Sequence, residues 1–191
     1  MLVGQANIDA WKLKTGNLKD ADFAKLSEAM GVLADCPLYI DDTPGQSILE
    51  LRTKARKLHS QVGLKLLIVD YLQLVVGDKA YESRVQEVGA ISQGLKNLAR
   101  ELRIPILALS QLNRGVENRT EKVPVLADLR ESGSIEQDAD VVMFLYRNDD
   151  ASTEDVKLAI AKHRNGGLGT IDLKFRGDRV KFYGVDGGHT E

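Results

Sequence analysis

Cysteine appears once in the sequence, as Cys36, which excludes an internal disulfide and a cysteine-rich zinc site. Standing alone, it reads as a small buried hydrophobe. Long apolar runs are lacking too. None approaches the roughly 18 residues that a bilayer-crossing helix needs, and the amino terminus has no basic-then-apolar signal layout. No membrane partner is expected, and a cytoplasmic setting is. An excess of one charge is also missing: the formal net charge is -2, so nucleic-acid contact would have to come from a local basic loop. Internal repeats and low-complexity tracts are absent. What remains is 191 residues with 43% hydrophobic and 28% charged content, enough to bury one sizeable core in one soluble domain.

The stretch Lys65 to Leu74, KLLIVDYLQL, organises the chain. Its run Leu66 to Val69 suits a strand buried on both faces of a parallel sheet, and Asp70 ends it. A carboxylate at the carboxyl end of such a strand sits where open α/β sheets bind ligands, although an ordinary turn aspartate would look the same. Pro105 opens a second buried-type strand, Ile106 to Ser110, which ends in Ser110-Gln111. Gln111 is a possible ligand group or a plain strand-end cap. Upstream, Ile8 to Lys14 and Lys19 to Asp35 have helical spacing, with Asp20 as a cap for the second. Leu38 to Asp41 reads as a short strand, and Ser47 with Glu50 forms a capping box for a helix to about Val62. Arg84 to Leu102 is the strongest helix, and Asn113 to Val125 suits an exposed polar loop. A strand over Val141 to Tyr146 follows the polar segment Asp128 to Asp138. Alternating residues around Val156-Leu158-Ile160, Ile171-Leu173-Phe175 and Val180-Phe182 then give antiparallel hairpins. Lys162 and Arg164 flank His163 at a predicted strand end, so both project to one side. They are either a functional pair or a solvated rim. The fold class is α/β: a mostly parallel sheet flanked by helices and extended by a carboxyl-terminal antiparallel β-meander.

Four segments, LLIVDYLQLV, ILALSQLNR, DLRESGSIEQDADVVMFLYR and IAKHRNGGLGTIDLKF, in this order and spacing, resemble the replicative hexameric DNA helicases of the DnaB family. The likeness runs from the first helices to Tyr183. It implies a partial RecA-like P-loop NTPase core over residues 1–184, incomplete because the Walker A strand and loop are absent, with 185–191 as a flexible tail. It also implies ATP and Mg2+ as cofactors, single-stranded DNA as substrate, a homohexamer, and primase and a helicase loader as partners of the whole protein. A bacterial cytoplasm, or a phage within it, is the implied setting.

By the same resemblance, Asp70 corresponds to the Walker B aspartate that holds Mg2+. Gln111 corresponds to the glutamine that senses the γ-phosphate. Lys162 and Arg164 correspond to a pair reaching the nucleotide of a neighbouring subunit, as an arginine finger with a lysine partner. Arg130, Glu131 and Gly133 match the DNA-binding loop of the ring's channel, where Arg130 and glycine-exposed amides would contact phosphates and Glu131 would orient Arg130 or pair with a neighbouring subunit. His163 departs from the glutamine common in the family. The sequence lacks G-x-x-x-x-G-K-[ST], the Walker A loop that cradles phosphates, and the catalytic glutamate of the preceding strand. Both are expected upstream of Met1, so the chain alone is expected to be inactive. Two alternatives stand beside a helicase motor translocating 5′ to 3′: a non-catalytic DnaB-like ring or DNA-binding protein, and another RecA-like recombination or repair ATPase of the RadA type.

Overall fold

The computed structural model describes residues 1–113, 115–116, 119, 122–147 and 152–185, leaving aside the side chains of 130–133. The tail expected at 185–191 therefore lies, beyond its first residue, outside the described residues. The chain divides into two units, one of Met1–Asp41, Phe144–Ala159 and Gly169–Glu191, the other of Asp42–Met143 and Ile160–Leu168. No helix among the described residues is long and apolar enough to cross a membrane.

The first unit opens with α1 (Leu2–Ala6), α2 (Ala10–Thr15) and α3 (Asp20–Ala34). Sequence spacing starts a helix at Ile8, but Asp9 accepts a hydrogen bond from Trp11 N–H at 2.8 Å and caps α2 instead. Ile8 is thereby freed to enter the small core of Ala6, Leu26 and Ala29. In α3 the cap comes from Asp22, whose carboxylate takes the Lys19 N–H at 3.1 Å, while Asp20 is already inside the helix. Cys36, expected as a small buried hydrophobe, is exposed, as are Phe23 and Met30 of α3. The meander strands β5 (Gly169–Arg176) and β6 (Lys181–Gly184) pair antiparallel, with the rings of Phe175 and Phe182 4.7 Å apart.

The second unit holds α4 (Ile48–Val62), β1 (Leu67–Val69), a 3-10 turn (Leu72–Leu74), α5 (Arg84–Leu102), β2 (Ile106–Ala108), a 3-10 stretch (Leu126–Ser132) and α6 (Gly133–Asp138). The capping box forms: Glu50 N–H donates to Ser47 Oγ at 3.2 Å and Ser47 N–H to the Glu50 carboxylate at 2.8 Å. Helix α5 supplies Val88, Ile91 and Leu95 to a core shared with Val69, Leu72 and Val75, and Leu98 and Leu102 to a second core with Ala55 and Ile104. β1 and β2 are parallel, Leu67 opposite Ile106 and Val69 opposite Ala108.

Three sequence expectations change here. Leu38 to Asp41 is not a strand, because it has no ladder partner among the described residues. β1 is buried on one face only: Val69 is 7% exposed but Ile68 is 53%, since α4 and α5 cover a single side. The meander does not extend the parallel pair. Strands β3 (Val141–Tyr146), β4 (Asp155–His163), β5 and β6 form their own sheet in that order, separate from β1–β2.

Candidate functional site

The candidate site residues Asp70, Gln111, Arg130, Glu131, Gly133, Lys162 and Arg164 all belong to the second unit. Because β1 and β2 run parallel with Val69 beside Ala108, their carboxyl ends emerge together, and Asp70 and the Leu109–Gln111 segment lie just beyond the ladder. Leu109 N–H donates to Val69 O at 2.9 Å and Leu72 N–H to Leu109 O at 2.8 Å, which prolongs the contact past the strands. Tyr71, Leu109, Ser110 and Gln111 line a hollow of about 280 Å3 there. Asp70 is exposed, joined to Tyr71 by a cis peptide, and among the described residues its carboxylate has no hydrogen-bond or ion-pair partner.

Gln73 was not singled out by sequence reasoning, yet it fixes this corner. Its amide nitrogen donates to Ser110 Oγ at 3.0 Å, and its amide oxygen accepts the Gln111 N–H at 3.3 Å. The backbone of Gln111 is thus held while its side chain stays exposed. No group of three or more His, Cys, Asp or Glu that could hold a metal occurs among the described residues. Magnesium keeps much of its water and binds through one or two carboxylates together with phosphate oxygens. Asp70, unpartnered and at the strand end, fits that role.

The segment Asp128 to Gly133 is anchored by its first residue. Asp128 is 5% exposed, takes the Val125 N–H at 2.7 Å and the Arg119 guanidinium at 3.1 Å, while its carbonyl accepts from Asn113 N–H at 3.2 Å. The stretch expected to be a plain exposed loop therefore carries a buried carboxylate's partner and the buried Val116. Arg130 and Glu131 lie in the 3-10 stretch and Gly133 begins α6; their side chains are outside the described residues. Next to them, Ser134 approaches α5 at Gly89, where a Cβ would come within 2.8 Å of Ser134 Oγ.

Lys162 and Arg164 meet the far end of this same segment. Lys162 Nζ donates to the carbonyl of Glu136 in α6. Arg164 reaches Asp140 twice, by its guanidinium at 3.1 Å and by its backbone N–H to the Asp140 carbonyl at 2.8 Å. Lys96 of α5 also pairs with the Asp140 carboxylate. That ammonium, with Arg164 and Arg100 adding, holds the Asp140 carboxyl below the usual aspartate range. His163 turns to its own hairpin, its ring over Gly166, where a side chain would collide. The structure thus joins Lys162 and Arg164 to the loop-bearing segment. It makes no hydrogen bond or ion pair between them and Asp70 or Gln111 among the described residues.

Residues 1–184 match the family model described as DnaB-like helicase C terminal domain. The replicative DNA helicase DnaC of Bacillus subtilis is 50% identical over 97% of this chain, and the replicative DNA helicase DnaB of Geobacillus stearothermophilus is 47% identical over 97%. The chain spans 42% of the length of each of these relatives. Among solved structures, one described as an ATPase domain superposes with a TM-score of 0.92 at 40% identity, over 97% of this chain and 68% of that one. A DnaB-like replicative helicase studied for its interactions with primase gives the same TM-score and identity over 97% of this chain and 46% of the other. With its parallel strand pair, its separate antiparallel meander and these likenesses, the chain belongs to the family of DnaB-like helicase C-terminal domains.

Proposed function

We infer that this chain forms part of an ATP-driven replicative helicase which encircles single-stranded DNA as a homohexameric ring and translocates 5′ to 3′ in the bacterial cytoplasm. The observation that carries this is the strand-end corner: an exposed carboxylate without a partner among the described residues, Asp70, beside a backbone-fixed glutamine, Gln111, in a chain of this family. Mg2+ bound there would neutralise charge on the β- and γ-phosphates of ATP. Asp70 would hold that ion, and Gln111 would donate an amide hydrogen to a phosphate oxygen, a bond that would exist only while that phosphate is present. Arg130 and the backbone around Gly133 bind DNA phosphates without reading sequence, with Glu131 orienting them. Lys162 and Arg164 act on the neighbouring subunit's phosphates, where fixed positive charge stabilises the transferring group. Primase and a helicase loader engage the longer protein.

The test is done on a full-length protein of the family carrying this domain. Asp70→Asn should reduce hydrolysis by about 100-fold or more, in line with loss of an electrostatic group of the transition state. Arg164→Ala should abolish DNA-stimulated hydrolysis with nucleotide affinity kept, and Arg130→Ala should weaken single-strand binding with basal hydrolysis kept. Exchange of the last two phenotypes would show the roles to be swapped, and silence of all three would favour a non-catalytic ring.

A further inference from the structure

Arg164 is not free to point anywhere. Its guanidinium and its backbone N–H both end on one residue, Asp140, at 3.1 and 2.8 Å. Asp140 in turn is fixed by Lys96, whose side chain is only 14% exposed and projects from the rigid helix α5. Seven residues earlier on that helix, two turns away and on the same face, Gly89 seats Ser134. Helix α5 therefore holds both ends of the segment 134–140. The carbonyl that accepts Lys162 belongs to Glu136, inside that segment.

We propose that Asp140 is a positioning residue for the Arg164 guanidinium, itself anchored by Lys96, so that the segment leaving the DNA loop sets the aim of the group that acts on the neighbouring subunit's nucleotide. The side chains of Arg164 and Asp140 are 50% and 53% exposed, so the pair is weak in free energy and its contribution is direction rather than strength. A guanidinium held on one edge by a carboxylate keeps its other N–H donors for a phosphate oxygen. Displacement of the loop by DNA would move Glu136 and Asp140 together, and with them both basic side chains.

Granted the role of Arg164 proposed above, the experiment is steady-state ATP hydrolysis by the full-length ring on single-stranded DNA, with ring assembly checked by light scattering. Asp140→Ala should lower kcat about 30-fold with KM for ATP within about twofold, the mark of misplacement rather than lost binding. Lys96→Met should lose about tenfold in kcat, and Lys96→Arg should recover most of it, because a second cation can hold the same carboxylate. Placed on top of Arg164→Ala, Asp140→Ala should add nothing, since both act through one group. If Asp140→Ala does not assemble, Asp140→Asn is used in the same cycle and should fall between it and the parent.

An unchanged kcat, a rise in kcat, an equal rise in KM, or a full additional loss in the Arg164→Ala background would each overturn the positioning role. Should Arg164→Ala itself keep its kcat, the failure lies with the reading of Arg164. A silent Asp140 variant beside an inactive Arg164 variant removes the positioning role alone.

Discussion

Asp128 shows how far one buried carboxylate can organise a segment. Its carboxylate satisfies Val125 N–H and Arg119, and its carbonyl satisfies Asn113 N–H, so it pins both strands of chain that enter the Arg130 stretch. Asp128→Ala should destabilise the full-length protein by about 2 kcal/mol, the scale of two lost hydrogen bonds with one charged partner. Arg119 is 42% exposed and can return to water, which keeps the cost below that of a fully buried pair. Urea unfolding measures it, and single-strand affinity should drop with it because the loop loses its footing. Unchanged stability would show that Asp128 is not a support. Residues of this kind were not legible in the sequence, for a physical reason. Gln73 acts on a residue 37 positions away and Asp140 on one 44 positions away, and spacing alone does not disclose such contacts. Asp70 and Gln111 were legible because each ends an apolar run, a local pattern. The Ser47–Glu50 box was legible because both partners lie within one turn.

At the level of elements, α4 and α5 pack so closely that Gly94 matters. A Cβ there would stand 2.7 Å from Ile48 Cγ1, a branch atom that cannot swing away easily. Gly94→Ala should therefore cost about 1 kcal/mol net, overpacking of about 1–3 kcal/mol less the roughly 1 kcal/mol that alanine gains in helix propensity. Combined with Ile48→Ala, the pair should cost less than the sum of the single changes in a denaturation cycle. Strict additivity would mean that the helices shift apart instead. The long helices were legible from their own periodicity, and α5 keeps its expected bounds. The strands fared less well, because a strand is defined by its partners. Leu38 to Asp41 has the composition of a strand without a ladder, and Leu66 to Val69 has the composition of a two-sided strand with one side covered.

For the molecule as a whole, five carboxyls among the described residues are held below their ordinary values. Backbone N–H groups lower the carboxyls of Asp22, Glu50 and Glu87, while Lys96 lowers Asp140 and Arg176 lowers Asp178, from ordinary values of 3.8 for Asp and 4.5 for Glu. Depressed folded values mean stability that is complete above the unfolded values and lost as pH falls through the folded ones. Lys157 and Lys174, raised from 10.5 by Asp172 and Asp155, lose their contributions only at still higher pH. The thermal midpoint of the full-length protein should stay level across neutral pH and begin to fall below pH 4.5, and Glu50→Gln with Glu87→Gln should make that acid limb shallower. A larger consequence follows from the two sheets. Among the described residues β1 and β2 pair only with each other, and Ile68, Leu107, Leu109, Val141, Met143 and Leu145 are each between 41% and 53% exposed. Open ladder edges with apolar side chains around them favour association over a single folded monomer. The 191-residue chain by itself should accordingly self-associate or melt without a sharp transition. Calorimetry beside sedimentation tests this: a soluble monomer with a cooperative melt would mean that these open edges do not drive association.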